Sequence, residues 1–399
     1  MAEDLAVAVS DPALTGLGQR YKEVHVFWLA GMSCDGCSIA VTGGTKPALE
    51  DLLAGTLPGL PKLILHHTVL AVETGAKFLE AYYRAWRGEL DAPYVVVLEG
   101  SIPDEKLAAN GGGYWSALGV EPPEGASHDP WTDQPIPVAT WMARLAPGAA
   151  ASIAIGTCAT WGGVPAAIGN PTGSMGLMDF LGKDYRSGLG LPVVNIPGCS
   201  PVGDNFGETV VAVLLFLQGH GPLPEFDELG RPAWLFSETV HRGCTRAGSY
   251  EEGTFAKEYG DAECLVEVGC WGPVVQCNIV SRGAINGVGG CMKTGGICIG
   301  CTMPGFPDKF SPFYKTPPGS TVSTTASRLV GSFIRPLRRM TLSGRNRTAK
   351  WQNEVPSTWG NVPRRGVVQR VSDFFYDKLR FAGGTKLSGK GPHVDGGGR

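Results

Sequence analysis

The chain contains no run of about 18 uninterrupted apolar residues, the length that a transmembrane helix requires. Its amino terminus has neither a basic segment followed by an apolar stretch nor a twin-arginine motif, so no export signal is expected there. These absences argue against an integral membrane protein. They predict a cytoplasmic protein, either free or peripheral to the inner face of the membrane. In that compartment thiols stay reduced, and clustered cysteines bind metal more often than they form disulfides.

Charged side chains are also scarce, since Asp, Glu, Lys and Arg together make up 18% of the residues. A surface with so little charge indicates that other proteins of an assembly cover much of it. Basic charge is concentrated at one end: from Arg328 to Arg399 the chain has 15 Lys and Arg but 4 Asp and Glu. No recognisable nucleic-acid-binding module accompanies it, which argues against a nucleic-acid partner. The segment is either a solvated tail or a docking extension for an acidic partner or an anionic membrane surface.

What the chain does contain is eleven cysteines, which fall into three groups with the spacing of metal ligands. A Cys-x-x-Cys pair begins the first group, which is Cys34, Cys37, Cys158 and Cys199. A histidine replaces one thiol in the second, which is His241, Cys244, Cys264 and Cys270. The third group is Cys277, Cys291, Cys298 and Cys301. Three sites of about four ligands each are what iron–sulfur clusters require, so the sequence predicts an electron-transfer protein.

A Cys-x-x-Cys pair by itself is ambiguous among a zinc site, an iron–sulfur cluster and a redox-active dithiol. Zinc ribbons combine one such pair with another close by in the sequence. The partners of Cys34 and Cys37 instead lie far along the chain, and a redox dithiol would need neither Cys158 nor Cys199. The pattern therefore favours a cluster held by a whole domain. A zinc-stapled structural protein is the alternative from a different functional class.

Short apolar stretches alternate with helical ones in the first half of the chain, a pattern typical of an α/β fold with a parallel sheet covered on both faces. We expect strands at residues 25–29, 62–65, 94–98, 152–155 and 191–196, and helices at residues 76–87, near 141–145 and at 205–219. The cysteines of the first group each follow the carboxyl end of one of these strands. Because ligands of open α/β sheets bind beyond those ends, three distant loops are expected to deliver four thiols to one point.

The regular periodicity disappears after Pro222, and seven cysteines lie among many glycines up to about residue 308. This segment is predicted to be a small irregular domain held together by its bound clusters, because metal ligation is coupled to folding in such regions. We therefore expect four parts. They are an amino-terminal arm at 1–22, an α/β domain at 23–221, an iron–sulfur domain at 222–311 and a basic extension at 312–399.

Several longer motifs resemble the small subunits of NiFe hydrogenases. The segments WLAGMSCDGCS (28–38), GTCATWGG (156–163) with NPT (170–172), and NIPGCSP (195–201) resemble the proximal-cluster segments of that family. The segments HRGCTRAGSYEEGTFA (241–256) and CLVEVGCWGP (264–273) resemble its distal-cluster segment, and CIGCTMPGFPD (298–308) resembles its medial one. The likeness spans residues 23–310 in the order of the family, and its general character is similar to the actinobacterial-type, high-affinity uptake enzymes.

The resemblance implies a flavodoxin-like first domain and three cluster sites. The proximal cluster would be held by Cys34, Cys37, Cys158 and Cys199. The distal cluster would be held by His241, Cys244, Cys264 and Cys270. The medial cluster would be held by Cys277, Cys298 and Cys301. The proximal and distal clusters are expected to be 4Fe–4S centres or variants of them.

The NiFe centre of the family belongs to a separate large subunit, so the resemblance implies an obligate partner chain. Heterodimers of the two chains are expected to form a higher oligomer. The implied function is to pass electrons from hydrogen oxidation at the large subunit to an acceptor, for which quinone is the expected candidate. The alternative is the iron–sulfur subunit of a related quinone or coenzyme-linked oxidoreductase. Such relatives generally keep only the proximal site, so the medial and distal motifs count against it.

Two residues leave the cluster types open. The medial site of the family usually holds a 3Fe–4S cluster on three ligands, whereas Cys291 either supplies a fourth ligand for a 4Fe–4S cluster or remains a free thiol. Asp35, inside the first ligand pair, is either a solvated loop side chain or an oxygen ligand that replaces one thiolate. His241 is the one histidine of seven that we assign to a cluster. Its neutral imidazole would raise the potential of the distal cluster relative to a thiolate ligand.

Overall fold

The computed structural model describes Gly18 and residues 20–111, 113–121, 133–317 and 320–342, with the backbone alone described for residues 333–342. The predicted amino-terminal arm and the predicted basic extension therefore fall largely outside the described residues. Within the part of the chain that is described, no helix combines the length and the apolar character that a membrane span needs.

The first half of the chain is built on a five-stranded parallel sheet. The strands in chain order are β1 (Glu23–Ala30), β2 (Lys62–His67), β3 (Tyr94–Glu99), β4 (Ala117–Glu121), β5 (Gln134–Pro137), β6 (Ala151–Ile155) and β7 (Val194–Ile196). The sheet has the order β2-β1-β3-β6-β7, while β4 and β5 form a separate antiparallel pair. Counted among the parallel strands alone, this is the order 2-1-3-4-5 of flavodoxin-like folds. The predicted α/β class with a parallel sheet is confirmed.

Eight helices of the described residues accompany the sheet. They are α1 (Gly36–Thr42), α2 (Leu49–Ala54), α3 (Gly75–Trp86), α4 (Glu105–Asn110), α5 (Val138–Leu145), α6 (Gly156–Trp161), α7 (Leu177–Leu181) and α8 (Gly203–Leu217). The later part of the chain adds α9 (Val240–Gly243), α10 (Ala247–Glu251), α11 (Ile279–Arg282) and α12 (Ser320–Leu342). Most of these later helices are a single turn or little more, in agreement with the lack of periodicity after Pro222.

Helices cover both faces of the sheet, because alternate residues of each strand point to opposite sides. On one face, Val24, Val26 and Trp28 of β1 belong to a core that includes Phe206 and Val210 of α8. On the other face, Phe27 and Leu29 pack in a second core with helices α3 and α5. All six residues of β3 are buried. A strand covered on both faces has an uninterrupted apolar sequence. The apolar residues 94–98 form such a sequence and predict β3.

The last strand of the sheet is shorter than expected. The sequence predicts a strand at residues 191–196, whereas β7 begins at Val194. Pro192 lies inside the predicted stretch and has no backbone N–H to donate to a neighbouring strand, which explains the late start. The paired residues of β7 and β6 run from Ile153 with Val194 to Ile155 with Ile196. The short strand still delivers the following loop to the same edge of the sheet as β6.

The irregular second half packs on α8 through polar contacts. The side-chain amides of Asn205 and Asn278 donate to each other's oxygens at 3.0 and 2.8 Å. Glu208 accepts hydrogen bonds from the Trp234 indole, at 2.9 Å, and from the Arg282 guanidinium. The second half also has a small core of its own, in which cysteines are buried among apolar side chains. These contacts fix the second half against the edge of the sheet where the first group of cysteines lies.

Candidate iron–sulfur sites

The four cysteines of the proximal site come from three strand ends. Cys34 and Cys37 lie between β1 and α1 or at the start of α1, Cys158 lies in α6 directly after β6, and Cys199 follows β7. Burial raises the pKa of the Cys37 thiol, and nearby Glu99, Cys158, Cys34 and Cys199 raise it further. Burial also raises the pKa of Cys158 to about 11, with contributions from Cys199 and Cys34. All four thiols are therefore within electrostatic reach of one another, as their placement at the strand ends requires.

Glycines make room for these thiols. Gly156 has a φ of +83°, and a Cβ atom built on it would lie 2.3 Å from the Cys37 Sγ atom. Gly163 has a φ of +58°, and its Cβ atom would lie 2.8 Å from the Cys158 Sγ atom. Both the left-handed backbone and the missing Cβ are needed at these positions. The loop glycines thus shape a cradle around the proximal site that no other residue type would leave open.

The four ligands predicted for the distal site line one cavity, together with Arg246 and Met292. His241 is buried in α9, and burial lowers the pKa of its imidazole to about 4. The imidazole is therefore neutral at neutral pH, which is the form that binds a metal. Burial raises the pKa of Cys264 to about 12, although the backbone N–H of Val266 opposes this increase. The cavity offers three thiols and one imidazole to a group bound inside it.

Backbone N–H groups point at the sulfur atoms of the distal site. Gly272 and Cys298 donate to the Cys270 Sγ atom at 3.4 and 3.3 Å, and Arg246 donates to the Cys244 Sγ atom at 3.4 Å. Such hydrogen bonds favour the thiolate over the thiol and are one of the means by which proteins set the potential of a bound cluster. The donor geometry of the distal site therefore fits an iron–sulfur cluster.

The medial site brings together all four cysteines of the third group. Burial raises the pKa of Cys277 to about 11, and Cys291 adds to the increase. Burial likewise raises the pKa of Cys301, with further contributions from Cys277 and Cys291. The pKa of Cys298 is raised by burial and then by Cys270, Cys301 and Cys277. Cys291 is exposed at the surface, yet it lies beside two of the three predicted medial ligands.

No three His, Cys, Asp or Glu side chains within the described ranges are close enough to share a single metal ion. The ligands of an iron–sulfur cluster stand farther apart than those of a single ion, because each binds a different iron. The arrangement of thiols with nearby N–H donors is compatible with that wider spacing. The residues present therefore fit polynuclear clusters in all three sites.

The three sites are joined in series by direct contacts. The Cys199 backbone is near enough to the Cys301 thiol to lower its pKa, against the stronger effect of burial. Thr157, next to Cys158, donates its hydroxyl hydrogen to the Cys301 carbonyl. On the other side, the Cys298 N–H donates to Cys270 Sγ. The medial site thus lies between the proximal and distal sites and touches both.

Asp35 is exposed in the turn between Cys34 and Cys37, where its φ is 59°. Its carboxylate is near enough to His67 to raise the pKa of that imidazole, which burial lowers more strongly. This exposed position is compatible with solvation. The solvated and the ligating roles of Asp35 both stay predictions.

Glu99 is a buried carboxylate beside the proximal site that reasoning from the sequence missed. It accepts hydrogen bonds from the Trp28 indole and the Cys37 backbone, each at 3.0 Å, and from the Ser38 hydroxyl. The Ser38 oxygen is in turn 2.8 Å from the Nε2 atom of His67. The sequence does contain a signal for Glu99, a single acidic residue at the end of the apolar stretch YVVVLE. An acidic residue in a buried strand needs polar partners, so its presence there indicates a polar site.

Exposed apolar side chains surround the proximal site. They belong to segments that follow the carboxyl ends of β1, β2 and β6, and they include Ile39, Val69 and Ile168, which are 68%, 64% and 88% exposed. Cys34 and Cys199 are themselves exposed at this edge.

Two family profiles match the chain, one in each half. The profile described as NADH ubiquinone oxidoreductase, 20 Kd subunit, matches residues 34–213. The profile for the C-terminal part of NiFe/NiFeSe hydrogenase small subunits matches residues 236–314. The first covers the proximal site and the strands of the parallel sheet other than β1. The second covers the medial and distal sites and, by its description, belongs to hydrogenases.

Known proteins are similar over most of the chain. The periplasmic [NiFeSe] hydrogenase small subunit of Desulfomicrobium baculatum is 32% identical over 295 residues, which is 73% of this chain and 87% of that protein. The quinone-reactive Ni/Fe-hydrogenase small chain of Wolinella succinogenes is 31% identical, covering 77% of this chain and 78% of that one. Among solved structures, the actinobacterial-type NiFe-hydrogenase from Ralstonia eutropha H16 is 52% identical with a TM-score of 0.75, covering 84% of this chain and 94% of the matched chain.

Proposed function

Because this chain belongs to the family of NiFe-hydrogenase small subunits, we propose that it carries electrons from hydrogen oxidation at its large-subunit partner through three iron–sulfur clusters to an acceptor. The catalytic NiFe site of such enzymes sits in the large subunit. The observation that supports the three-cluster relay best is a pair of hydrogen bonds, from the Thr157 hydroxyl beside Cys158 to the Cys301 carbonyl and from the Cys298 N–H to Cys270 Sγ. Electron tunnelling falls steeply with distance, so a relay needs neighbouring sites that touch in this way.

The side chains of this chain would bind, orient and shield the clusters. An iron–sulfur cluster in each site would supply a centre that accepts and releases single electrons. Cysteine thiolates and the neutral His241 imidazole would hold the irons. The backbone N–H groups of Gly272 and Cys298 stabilise negative charge on Cys270 Sγ. Burial of Cys270 and Cys298 in the small core of the second half keeps water away from their sulfur atoms.

We propose that the large-subunit partner covers the exposed apolar side chains at the carboxyl edge of the sheet. This would enclose Cys34 and Cys199, which are exposed in the single chain. A related quinone or coenzyme-linked oxidoreductase subunit would need only the first half of the chain, where the profile of that family matches. The matched hydrogenase profile and the ligands at residues 241–301 favour the hydrogenase.

The function is tested on the purified complex of this chain with its large subunit. We expect the two chains to copurify with iron and acid-labile sulfide, and the complex to reduce an artificial dye when hydrogen is supplied. We propose quinone as the natural acceptor, so a soluble quinone should be reduced as well. Absence of hydrogen-dependent dye reduction from an iron-loaded complex contradicts the function. Dye reduction without quinone reduction contradicts only the acceptor.

The proposed location is the cytoplasm or the inner face of the membrane, although the Desulfomicrobium baculatum relative is named as periplasmic. We expect the chain to be found with cytoplasmic or membrane-associated marker enzymes when cells are fractionated. Recovery in the periplasmic fraction would show that the assigned compartment is wrong. That outcome would leave the electron-transfer function unaffected.

A further inference from the structure

Arg231 is a fully buried cation in the first loop of the irregular second half of the chain. Its side chain is 2% exposed, and it forms an ion pair of 2.7 Å with Asp227, whose side chain is also 2% exposed. The Asp227 carboxylate accepts two further hydrogen bonds, from the backbone N–H groups of Leu229 and Arg231 at 3.0 and 2.9 Å. A buried ion pair adds little to stability, because desolvation offsets most of the Coulomb attraction. The groups that the guanidinium contacts therefore indicate what this pair does beyond stabilising the fold.

The two ends of the guanidinium face different parts of the molecule. Its Nε atom donates to Asp227, while its Nη2 atom donates to the side-chain oxygen of Gln276, next to Cys277. Its Nη1 atom lies 3.8 Å from the Met303 Sδ atom, two residues beyond Cys301. The carboxylate is thus bound on the loop side, and the positive tips are directed at two segments that carry medial-site cysteines.

Those two segments are also bound to each other beside Arg231. The Thr302 hydroxyl donates to the Gln276 carbonyl oxygen at 2.7 Å, so residues adjacent to Cys277 and Cys301 are held together. The Arg231 guanidinium packs against this contact. Its Cζ atom lies 5.3 Å from the centroid of the Phe236 ring. The side chain is within electrostatic reach of the Cys277 thiol, whose pKa it lowers against the stronger effect of burial.

We propose that Arg231 is a positioning residue of the medial site whose buried charge raises the reduction potential of the cluster bound there. This inference rests on the proposed function, since it requires a cluster on Cys277, Cys298 and Cys301. Reduction adds one negative charge to the cluster, and a nearby cation stabilises that charge. The attraction is screened little in a region that excludes water and salt. Asp227 holds the guanidinium in place and partly cancels its charge.

The test is an EPR-monitored redox titration of the purified complex of this chain with its large subunit. The Arg231→Met variant keeps an unbranched side chain but removes the charge, and its medial cluster should become harder to reduce. We expect at least a tenfold change in the ratio of reduced to oxidised cluster at a fixed potential, which is about 59 mV for a one-electron couple. The Arg231→Lys variant keeps the charge and should show a smaller change.

The direction in which the Asp227→Asn substitution shifts the medial reduction potential is the decisive result. The substitution removes the compensating negative charge and leaves the guanidinium, so the medial cluster should become easier to reduce. Arg144→Met is the control, because Arg144, in helix α5 of the first half of the chain, forms a separate and more exposed ion pair of 2.9 Å with Glu121. It should leave the medial potential unchanged.

The possible results distinguish a failure of this inference from a failure of the proposed function. A wild-type complex without any medial-cluster signal contradicts the proposed function. With that signal present, unchanged potentials in the Arg231 and Asp227 variants overturn the inference. Shifts of the same sign in Arg231→Met and Asp227→Asn also overturn it, because loosened packing would then be the cause. If Arg231→Met does not fold, the other two variants still decide the question. The medial cluster should become easier to reduce in Asp227→Asn and should be unchanged in the Arg144→Met control.

Discussion

The Gly156→Ala variant is expected to lose the proximal cluster while the rest of the chain still folds. An alanine Cβ at this position would lie 2.3 Å from the Cys37 Sγ atom, far inside van der Waals contact. The φ of +83° adds strain of about 1–2 kcal/mol for a residue with a Cβ. The strain is tolerable for a domain of this size, but the clash pushes one ligand of the site out of place. We therefore expect the purified complex to lose about four irons and its hydrogen-dependent dye reduction.

The matched control is Gly190→Ala, in the loop before β7. Gly190 also has a positive φ, of +71°, but nothing lies within 4 Å of the Cβ atom that would be added. Both variants therefore carry similar backbone strain, and only one of them displaces a thiol. Iron analysis and EPR of the two complexes, with thermal unfolding as a check on folding, provide the comparison. A Gly156→Ala complex with wild-type iron content and proximal signal would show that Cys37 is not a ligand.

The parallel sheet could be predicted because its strands are buried on both faces. β3 reads YVVVLE, and a short apolar run bounded by loops, in a chain where strands and helices alternate, indicates a buried parallel strand. The convergence of Cys34, Cys158 and Cys199 followed from the same reasoning, since all parallel strands end at one edge. The start of β7 was harder to place. The strand is predicted to begin at residue 191, but Pro192 lies inside that stretch and has no backbone N–H to donate, so β7 begins at Val194.

The partners of the polar groups around the sites could not be predicted from the sequence. Glu99 is buried because donors from remote places in the chain, the Trp28 indole and the groups of Cys37 and Ser38, meet at its carboxylate. Arg231 lies in a Gly- and Pro-containing loop and would be assigned to the surface on residue type alone. It is buried because side chains of the second half reach it, among them that of Gln276. Long-range partners of this kind are fixed by tertiary structure, and a single sequence does not reveal them.

Cys291 lies within electrostatic reach of Cys277 and Cys301, and this leads to a specific prediction about the medial cluster. We propose that Cys291 is the fourth ligand of a 4Fe–4S cluster in the medial site. Its surrounding loop includes Gly289 and Gly290, which both have a positive φ, and this permits the tight path that brings the thiol back towards Cys277. An exposed free thiol would be open to oxidation.

The Cys291→Ala variant should therefore convert the medial cluster from four irons to three. We expect the loss of about one iron per complex, a new three-iron EPR signal in the oxidised state and a higher medial potential, since cluster type sets the range of the potential. The exposed position of Cys291 makes a folding defect small. Lys293→Ala, which removes an exposed side chain from the same loop, is the control and should keep the wild-type signals. If Cys291→Ala also keeps them, Cys291 is a free thiol beside its three neighbours.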